Sequence, residues 1–287
     1  MSLITALQAG QQRASAASTW RRLLAVAPAV LILILVVFAA FFPGLFAEEA
    51  NLRPNPGAVA LPPSAEHWLG TDLSGRDIYT RIVFGTGLTL SVGIRVVLVA
   101  GLIGLVVGLL AGLGPRWLDA AITRVTEVLL AFPELLIALA VVAILGRGPE
   151  SVVIGVTTAL LPAYLRQGRV YSVLARSTGF VEAAKVLGVP RRRIAVRHIM
   201  PSVARPLLVL MILGFGSAVT TAAGLTFLGL GMESGVDEWG VMMQEGRNRL
   251  GDAWWITSMA GFALLITVVA VSWLGRWVAR TVQRGER

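Results

Sequence analysis

Long runs of apolar residues, separated by short polar segments, dominate this chain. Six such runs lie at 23–46, 89–112, 127–146, 151–168, 207–230 and 255–275. At a rise of about 1.5 Å per helical residue, about 20 residues cross a hydrocarbon core of about 30 Å. The pattern therefore predicts an all-α integral membrane protein with about six transmembrane helices.

The boundaries of these runs divide the chain into membrane and aqueous parts. We expect an N-terminal segment at 1–22, a first transmembrane anchor at 23–46 and a loop at 47–88. The core transmembrane domain then covers 89–275, with large loops at 169–206 and 231–254, and a tail follows at 276–287. The first run exceeds the apolar stretch of about 7–15 residues in a signal peptide, so we predict that it is an uncleaved anchor.

The basic residues indicate the orientation of these helices. Most of the 25 Lys and Arg residues fall in the segments 1–22, 113–126, 169–206 and 276–287. Since Lys and Arg accumulate on the cytosolic side, both termini and the loop 169–206 are predicted to be cytosolic, and the loops 47–88 and 231–254 extracytoplasmic. This topology accounts for the net charge of +9. We expect no nucleic-acid partner, because no aromatic platform accompanies the arginines.

Composition argues against several kinds of catalysis. The chain has no cysteine, and its two histidines, His67 and His198, fall on opposite sides of the predicted bilayer. We therefore expect neither a catalytic site nor a metal site. The chain has one lysine, Lys185, and it follows Ala184, so the Gly-Lys-Ser/Thr sequence of a phosphate-binding loop is absent. The protein is expected not to be an enzyme.

Small and ionisable residues inside the predicted spans suggest two further roles. Gly104, Gly108 and Gly112 share one helix face, which lets a second helix approach closely, either from this chain or from another membrane subunit. Arg95 and Glu134 are candidates for a translocation path, with interfacial anchoring as the alternative. An ion-coupled secondary transporter would need residues of this kind.

The longest charged stretch, FVEAAKVLGVPRRRIAVRHIMPSV at 180–203, predicts a cytosolic elbow of two helices. Glu182 lies near the favourable N-terminal dipole of the first helix, and Gly188 ends that helix as a left-handed cap. Pro190 suits the first turn of the second, basic helix. Alternatively, the arginines only set the topology and bind anionic lipid headgroups.

Several spaced motifs resemble the C-type permease of the dipeptide/oligopeptide/nickel branch of ABC importers. Glu182-Ala183-Ala184, then Gly188, then Ile199-Met200-Pro201 resembles the EAA loop of these permeases, with Met where Leu is usual. Further matching segments, in the same order, are LGTDLSGRD at 69–77, AFP at 131–133, FLGLG at 227–231 and EWG at 238–240.

This resemblance implies the type I ABC importer permease architecture in a bacterial cytoplasmic membrane. It implies ATP-binding partner subunits that hold ATP and Mg²⁺, leaving no cofactor in this chain, together with a second homologous permease and an extracytoplasmic solute-binding protein. The implied substrates are dipeptides or oligopeptides, with nickel or a metal chelate as the alternative. The implied ATPase-coupling residues are Glu182, Ala183, Ala184, Gly188 and Pro201, and the implied contacts to the sister permease or binding protein are Asp72, Arg76, Asp77, Glu238 and Trp239.

Overall fold

The computed structural model describes residues 26–285, and helices form most of this range. They are α1 (Val26–Phe41), α2 (Ile78–Leu113), α3 (Arg116–Leu130), α4 (Glu134–Leu145), α5 (Pro149–Arg176), α6 (Gly179–Val186), α7 (Arg191–Ile194), α8 (Met200–Phe227), α9 (Trp239–Gly246) and α10 (Trp254–Gly285). The predicted all-α class is confirmed. The predicted cytosolic segment 1–22 and the start of the first anchor lie outside the described residues.

Each of the six predicted spans contains a helix, but their lengths differ. Within the described residues, 3 helices are long and apolar enough to cross a membrane: α2, the run Arg191–Phe227 and α10. The pair α3 and α4 makes a fourth crossing if its two helices count as one broken span. The helix α1 ends at Phe41 rather than at residue 46, because Pro43 follows in a short 3₁₀ turn.

The helix α2 begins well before the predicted span at 89–112. Asp77 caps its N-terminus, and the side chain of Asp77 accepts a hydrogen bond from the Thr80 amide at 2.8 Å. Such a cap satisfies one of the amide groups that a helix start leaves unpaired. The predicted extracytoplasmic loop therefore loses residues 78–88 to the helix, and α2 extends beyond the apolar run at its outer end.

The predicted continuous span at 127–146 is wrong, because the helix breaks in its middle. α3 ends at Leu130, α4 begins at Glu134, and the two helices are bent by 94°. Pro133 has no amide hydrogen and disfavours helical geometry in the residue before it. Pro133 therefore accompanies a complete break of the helix.

The closest helix contact in the core joins α2 to α5. Gly104, Gly108 and Gly112 of α2 lie against Tyr164, Gly168 and Ser172 of α5. A Cβ atom on Gly108 would come within 2.6 Å of the Gly168 backbone, which is closer than real side chains pack. The glycine stripe therefore serves packing within the chain, the first of its two predicted roles.

We expect Gly108→Ala to lower the free energy of unfolding by about 1–3 kcal/mol, because the added methyl meets backbone atoms that cannot turn aside. The measurement is the thermal unfolding midpoint of the purified chain in mild detergent. Gly261→Ala in α10 is the control, since nothing lies within 4 Å of the added Cβ. Equal midpoints for the two variants would contradict this account of the contact.

Candidate functional site

The elbow, which the sequence predicts to be cytosolic, follows the end of α5. α6 occupies Gly179–Val186 and ends in a left-handed glycine, Gly188, with φ of 73°. The Gly188 amide donates to the Lys185 carbonyl and the Val189 amide donates to the Ala184 carbonyl, both at 3.0 Å. These two bonds make a Schellman motif, so the predicted role of Gly188 as a helix cap is confirmed.

The two sides of α6 differ in exposure. Val181 and Ala184 are buried against the rest of the chain, whereas Glu182 and Ala183 are exposed. Of the two alanines among the implied ATPase-coupling residues, therefore, only Ala183 faces outward. Beyond them, the side chains of Val186 and Leu187 are 89% and 81% exposed. The chain thus leaves uncovered an edge that is mostly apolar and carries the charges of Glu182 and Lys185.

The second arm of the elbow is the beginning of a membrane helix. α7 passes into a π-helical segment, Ala195–Ile199, and then into α8, so that Arg191–Phe227 forms one continuous helix. Pro201 is exposed in the first turn of α8. The sequence predicted a separate second helix in the elbow; instead the basic segment connects directly to the core.

A cavity of about 1140 Å³ lies between the elbow and the inner ends of α2 and α5. Four basic side chains line it, and no acidic residue does. The Arg176 guanidinium also donates to the carbonyl of Gly112 at 3.2 Å, which ties the end of α5 to α2. The basic residues are Arg176, Lys185, Arg191 and Arg192.

On the opposite face, a buried arginine joins the two extracytoplasmic loops. The Arg81 side chain is fully buried, and its guanidinium donates to Asp72 at 2.7 Å, to Glu245 at 2.7 Å and to Asp237 at 2.8 Å. Arg76 also pairs with Asp72, at 2.7 Å. Asp72 and Arg76 belong to the LGTDLSGRD motif, and the cluster fixes that segment to the region before and within α9.

The start of α9 is attached to α2 in the same region. Glu238 caps α9 by accepting a hydrogen bond from the Val241 amide at 3.0 Å, and the hydroxyl of Thr89 donates to its other carboxylate oxygen. The indole of Trp239 donates to the Ile82 carbonyl at 3.0 Å. Burial raises the pKa of Glu238 above its ordinary value, because desolvation penalises the charged form.

The five residues expected to contact a partner on the outer face are thus engaged within the chain. Asp72, Asp77, Glu238 and Trp239 are buried, and Arg76 is largely covered. Asp77 also lies 3.0 Å from the His67 imidazole. Their role as partner contacts stays a prediction. The contacts observed for them are intramolecular, and they hold the loops of this face together below its surface.

The two candidates for the translocation path, Arg95 and Glu134, have separate partners. Arg95 pairs with Glu150 in the first turn of α5. Glu134, the first residue of α4, accepts a hydrogen bond from the Thr221 hydroxyl of α8 at 2.9 Å. The structure does not bring Arg95 and Glu134 together, and between residues 26 and 281 no group of three or more His, Asp or Glu side chains is placed to hold a metal ion.

Sequence reasoning missed three residues of these sites. Asp237 and Thr89 lie outside the quoted motifs, and their partners are more than 100 positions away in the chain. Nothing in the sequence distinguishes Thr221 from the other polar residues of the spans, and its hydrogen bond to Glu134 is visible only in the structure. Arg81 could have been singled out from the sequence. It lies at the start of a predicted membrane helix, just after the GRD segment, and an arginine in that position needs acidic partners.

Comparison with known proteins agrees with these features. A family model for "Binding-protein-dependent transport system inner membrane component" matches residues 104–284. The chain is 37% identical to the dipeptide transport system permease protein DppC of Alkalihalophilus pseudofirmus, over 91% of this chain and 88% of that protein. It is 37% identical to the glutathione transport system permease protein GsiD of Pectobacterium atrosepticum, over 89% and 86%. It is 35% identical to the probable D,D-dipeptide transport system permease protein DdpC of Escherichia coli, over 88% and 84%.

We expect Arg81→Met to destabilise the outer loops by about 3–5 kcal/mol, because it removes the buried cation that three carboxylates share and leaves Arg76 as the remaining partner of the buried Asp72. The check is the rate at which a protease added from the extracytoplasmic side cleaves the loops 47–77 and 231–253. Arg249→Met is the control, since Arg249 makes an exposed pair with Asp252 at 2.5 Å and little change is expected there. Similar protection in both variants would show that the Arg81 cluster does not hold the loops.

Proposed function

We propose that this chain serves an importer of short peptides. It belongs to the family of binding-protein-dependent transport system inner membrane components. The chain is a multi-pass permease subunit of a bacterial ABC importer. The proposed coupling to an ATP-binding subunit is supported by one observation. The elbow leaves Glu182, Ala183 and Leu187 exposed at the predicted cytosolic end of the core.

The elbow is proposed as the docking site for an ATP-binding subunit. An exposed edge with one carboxylate and two large apolar side chains fits a groove that offers an arginine and an apolar floor. The Schellman cap at Gly188 holds that edge in a fixed shape, which a docking element requires. ATP and Mg²⁺ are bound by the partner subunits in this proposal, and the chain itself supplies the mechanical connection.

Coupling then follows from the path of the chain. The elbow lies between α5 and the continuous helix Arg191–Phe227, so a displacement of the docked ATPase reaches both helices at once. Closure of the ATPase pair on ATP binding would move the elbow, and the membrane helices would change between inward-open and outward-open arrangements. Hydrolysis would reset them.

The outer face is proposed to receive an extracytoplasmic binding protein, and a second permease to complete the path. The Arg81 cluster fixes the loop before α2 to the loop around α9, which gives the outer face a defined shape. A rigid surface of this kind suits a partner that docks without refolding. Exposed apolar side chains on the core helices are available to the lipid bilayer and to the second permease.

The names of the relatives support peptides as the substrate class. They are a dipeptide, a glutathione and a probable D,D-dipeptide permease, all of which handle short peptides by name. Nickel or a metal chelate stays the alternative. Purified complex with its binding protein should import labelled di- and tripeptides into liposomes, and import of nickel complexes with no peptide import would overturn this assignment.

We expect Glu182→Lys to reduce ATP-dependent import at least about tenfold, because it places a like charge against the expected arginine. The amount of the chain in the membrane should not change, since Glu182 is exposed and makes no ion pair within 4.0 Å among the described residues. Import and ATPase activity are measured on the same proteoliposomes.

Glu127→Lys is the matched control for this charge reversal. Glu127 is also exposed, in α3, and its ion pair with Arg124 is long at 3.8 Å. We expect its import to resemble that of the unsubstituted complex. Normal import by Glu182→Lys, with unchanged stimulation of the ATPase, would exclude the elbow as the coupling element.

A further inference from the structure

The break between α3 and α4 exposes irregular backbone within the predicted span 127–146. Residues 131–133 are non-helical and exposed in this chain. α4 has 12 residues, which places Glu134 roughly 18 Å from its outer end, well inside a hydrocarbon core of about 30 Å. Backbone of this kind is tolerated in a membrane only where protein covers it or where it lines a water-filled cavity.

The helix α8 presents polar side chains beside this break. Ser217 and Thr220 are exposed, although they belong to a membrane-spanning helix. Ser217, Thr220, Thr221 and Gly224 are spaced by three and four residues, so they share one helix face, which we call the polar stripe. A Cβ atom on Gly224 would meet nothing within 4 Å, so this face is open at that point.

Glu134 joins the break to the polar stripe. Its carboxylate accepts the Thr221 hydroxyl at 2.9 Å, and no Lys or Arg side chain between residues 26 and 281 lies within 4.0 Å of it. Arg95, the other candidate for the translocation path, is already paired with Glu150. The Glu134 carboxylate thus has a hydrogen-bond donor but no cation of its own chain.

We propose that the polar stripe lines the translocation path and that the Glu134 carboxylate receives the ammonium group of a peptide in transit. This inference rests on the proposed function, since it names the part of a peptide that the path recognises. A peptide amino terminus carries a positive charge that is costly to move through a membrane, and a half-buried carboxylate lowers that cost. The hydroxyls of Ser217 and Thr220 offer replaceable hydrogen bonds, which suits passage rather than tight binding.

The absence of cysteine from the whole sequence permits a direct test of the path. Ser217→Cys and Thr220→Cys, each in the assembled complex, are treated with cationic trimethylammonium and anionic sulfonate methanethiosulfonates, and labelling is read on the separated chain. Each labelling rate is divided by the rate of the same reagent with a free thiol in solution, because a thiolate intrinsically reacts faster with the cationic reagent. We expect both thiols to react, and after this correction the cationic reagent to be favoured about tenfold, which is the cationic preference tested below. Leu102→Cys, at a side chain of α2 that is 63% exposed, is the lipid-facing control and is expected to stay unlabelled.

Adding Glu134→Gln to the Ser217→Cys chain tests the charge. This change keeps the size of the side chain and a carbonyl acceptor for Thr221, and it should abolish the preference for the cationic reagent. Glu127→Gln, seven residues earlier, should leave that preference intact. A peptide with a free amino group, delivered with its binding protein and ATP, should slow labelling of Ser217→Cys.

The outcomes separate this inference from the proposed function. Unlabelled thiols at both positions would place the polar stripe against lipid or the second permease and overturn the inference. A cationic preference that survives Glu134→Gln would overturn it as well, even with peptide import intact. If no peptide is imported and none slows labelling, the proposed function fails and the inference fails with it. If peptide is imported but does not slow labelling of Ser217→Cys, only the inference fails.

Discussion

The close approach of α2 and α5 is the contact on which both faces of the protein depend. Glycines on both helices let their backbones meet at Gly108 and Gly168. Association in lipid lacks a strong hydrophobic drive and relies on such close packing. The start of α2 carries Asp77 and Arg81, and the end of α5 leads into the elbow, so this one contact helps to set the distance between the Arg81 cluster and the elbow.

The two faces are built on opposite principles. The outer cluster buries its charges, and the Arg81 guanidinium is shared among three carboxylates from different segments. The elbow leaves its charge and its apolar side chains uncovered, with Leu187 81% exposed. A buried network rigidifies, whereas an uncovered edge gains its energy only when a partner covers it. The rigid face suits reception of a delivered substrate, and the uncovered edge suits a moving motor.

The sequence predicted the all-α class, the positions of the apolar runs and the first helix of the elbow with its cap, because these depend on local patterns. Apolar length marks a membrane helix, and Gly188 marks a left-handed cap whatever surrounds it. The break at Pro133 was predictable as a kink but not as a 94° bend, since the neighbouring helices set the angle. The pairs Arg81 with Asp237 and Glu134 with Thr221 were out of reach, because they join residues far apart in the chain. The exposure of Ala183 and the burial of Ala184 likewise depend on how the elbow sits against the core.

The continuous helix from Arg191 to Phe227 gives the protein a lever. Its 37 residues extend roughly 55 Å, from the basic arm of the elbow to the outer loop. If it pivots as a stiff rod near its cytosolic end, a tilt of about 10° displaces its far end by roughly 10 Å, about the diameter of a helix with its side chains. The π-helical segment Ala195–Ile199 is the place where the rod can yield, since its hydrogen bonding departs from that of the helices on either side. In the proposed function, a small displacement at the elbow would thus become a larger displacement at the outer loop, and the stiffness of this segment would set how much of it is transmitted.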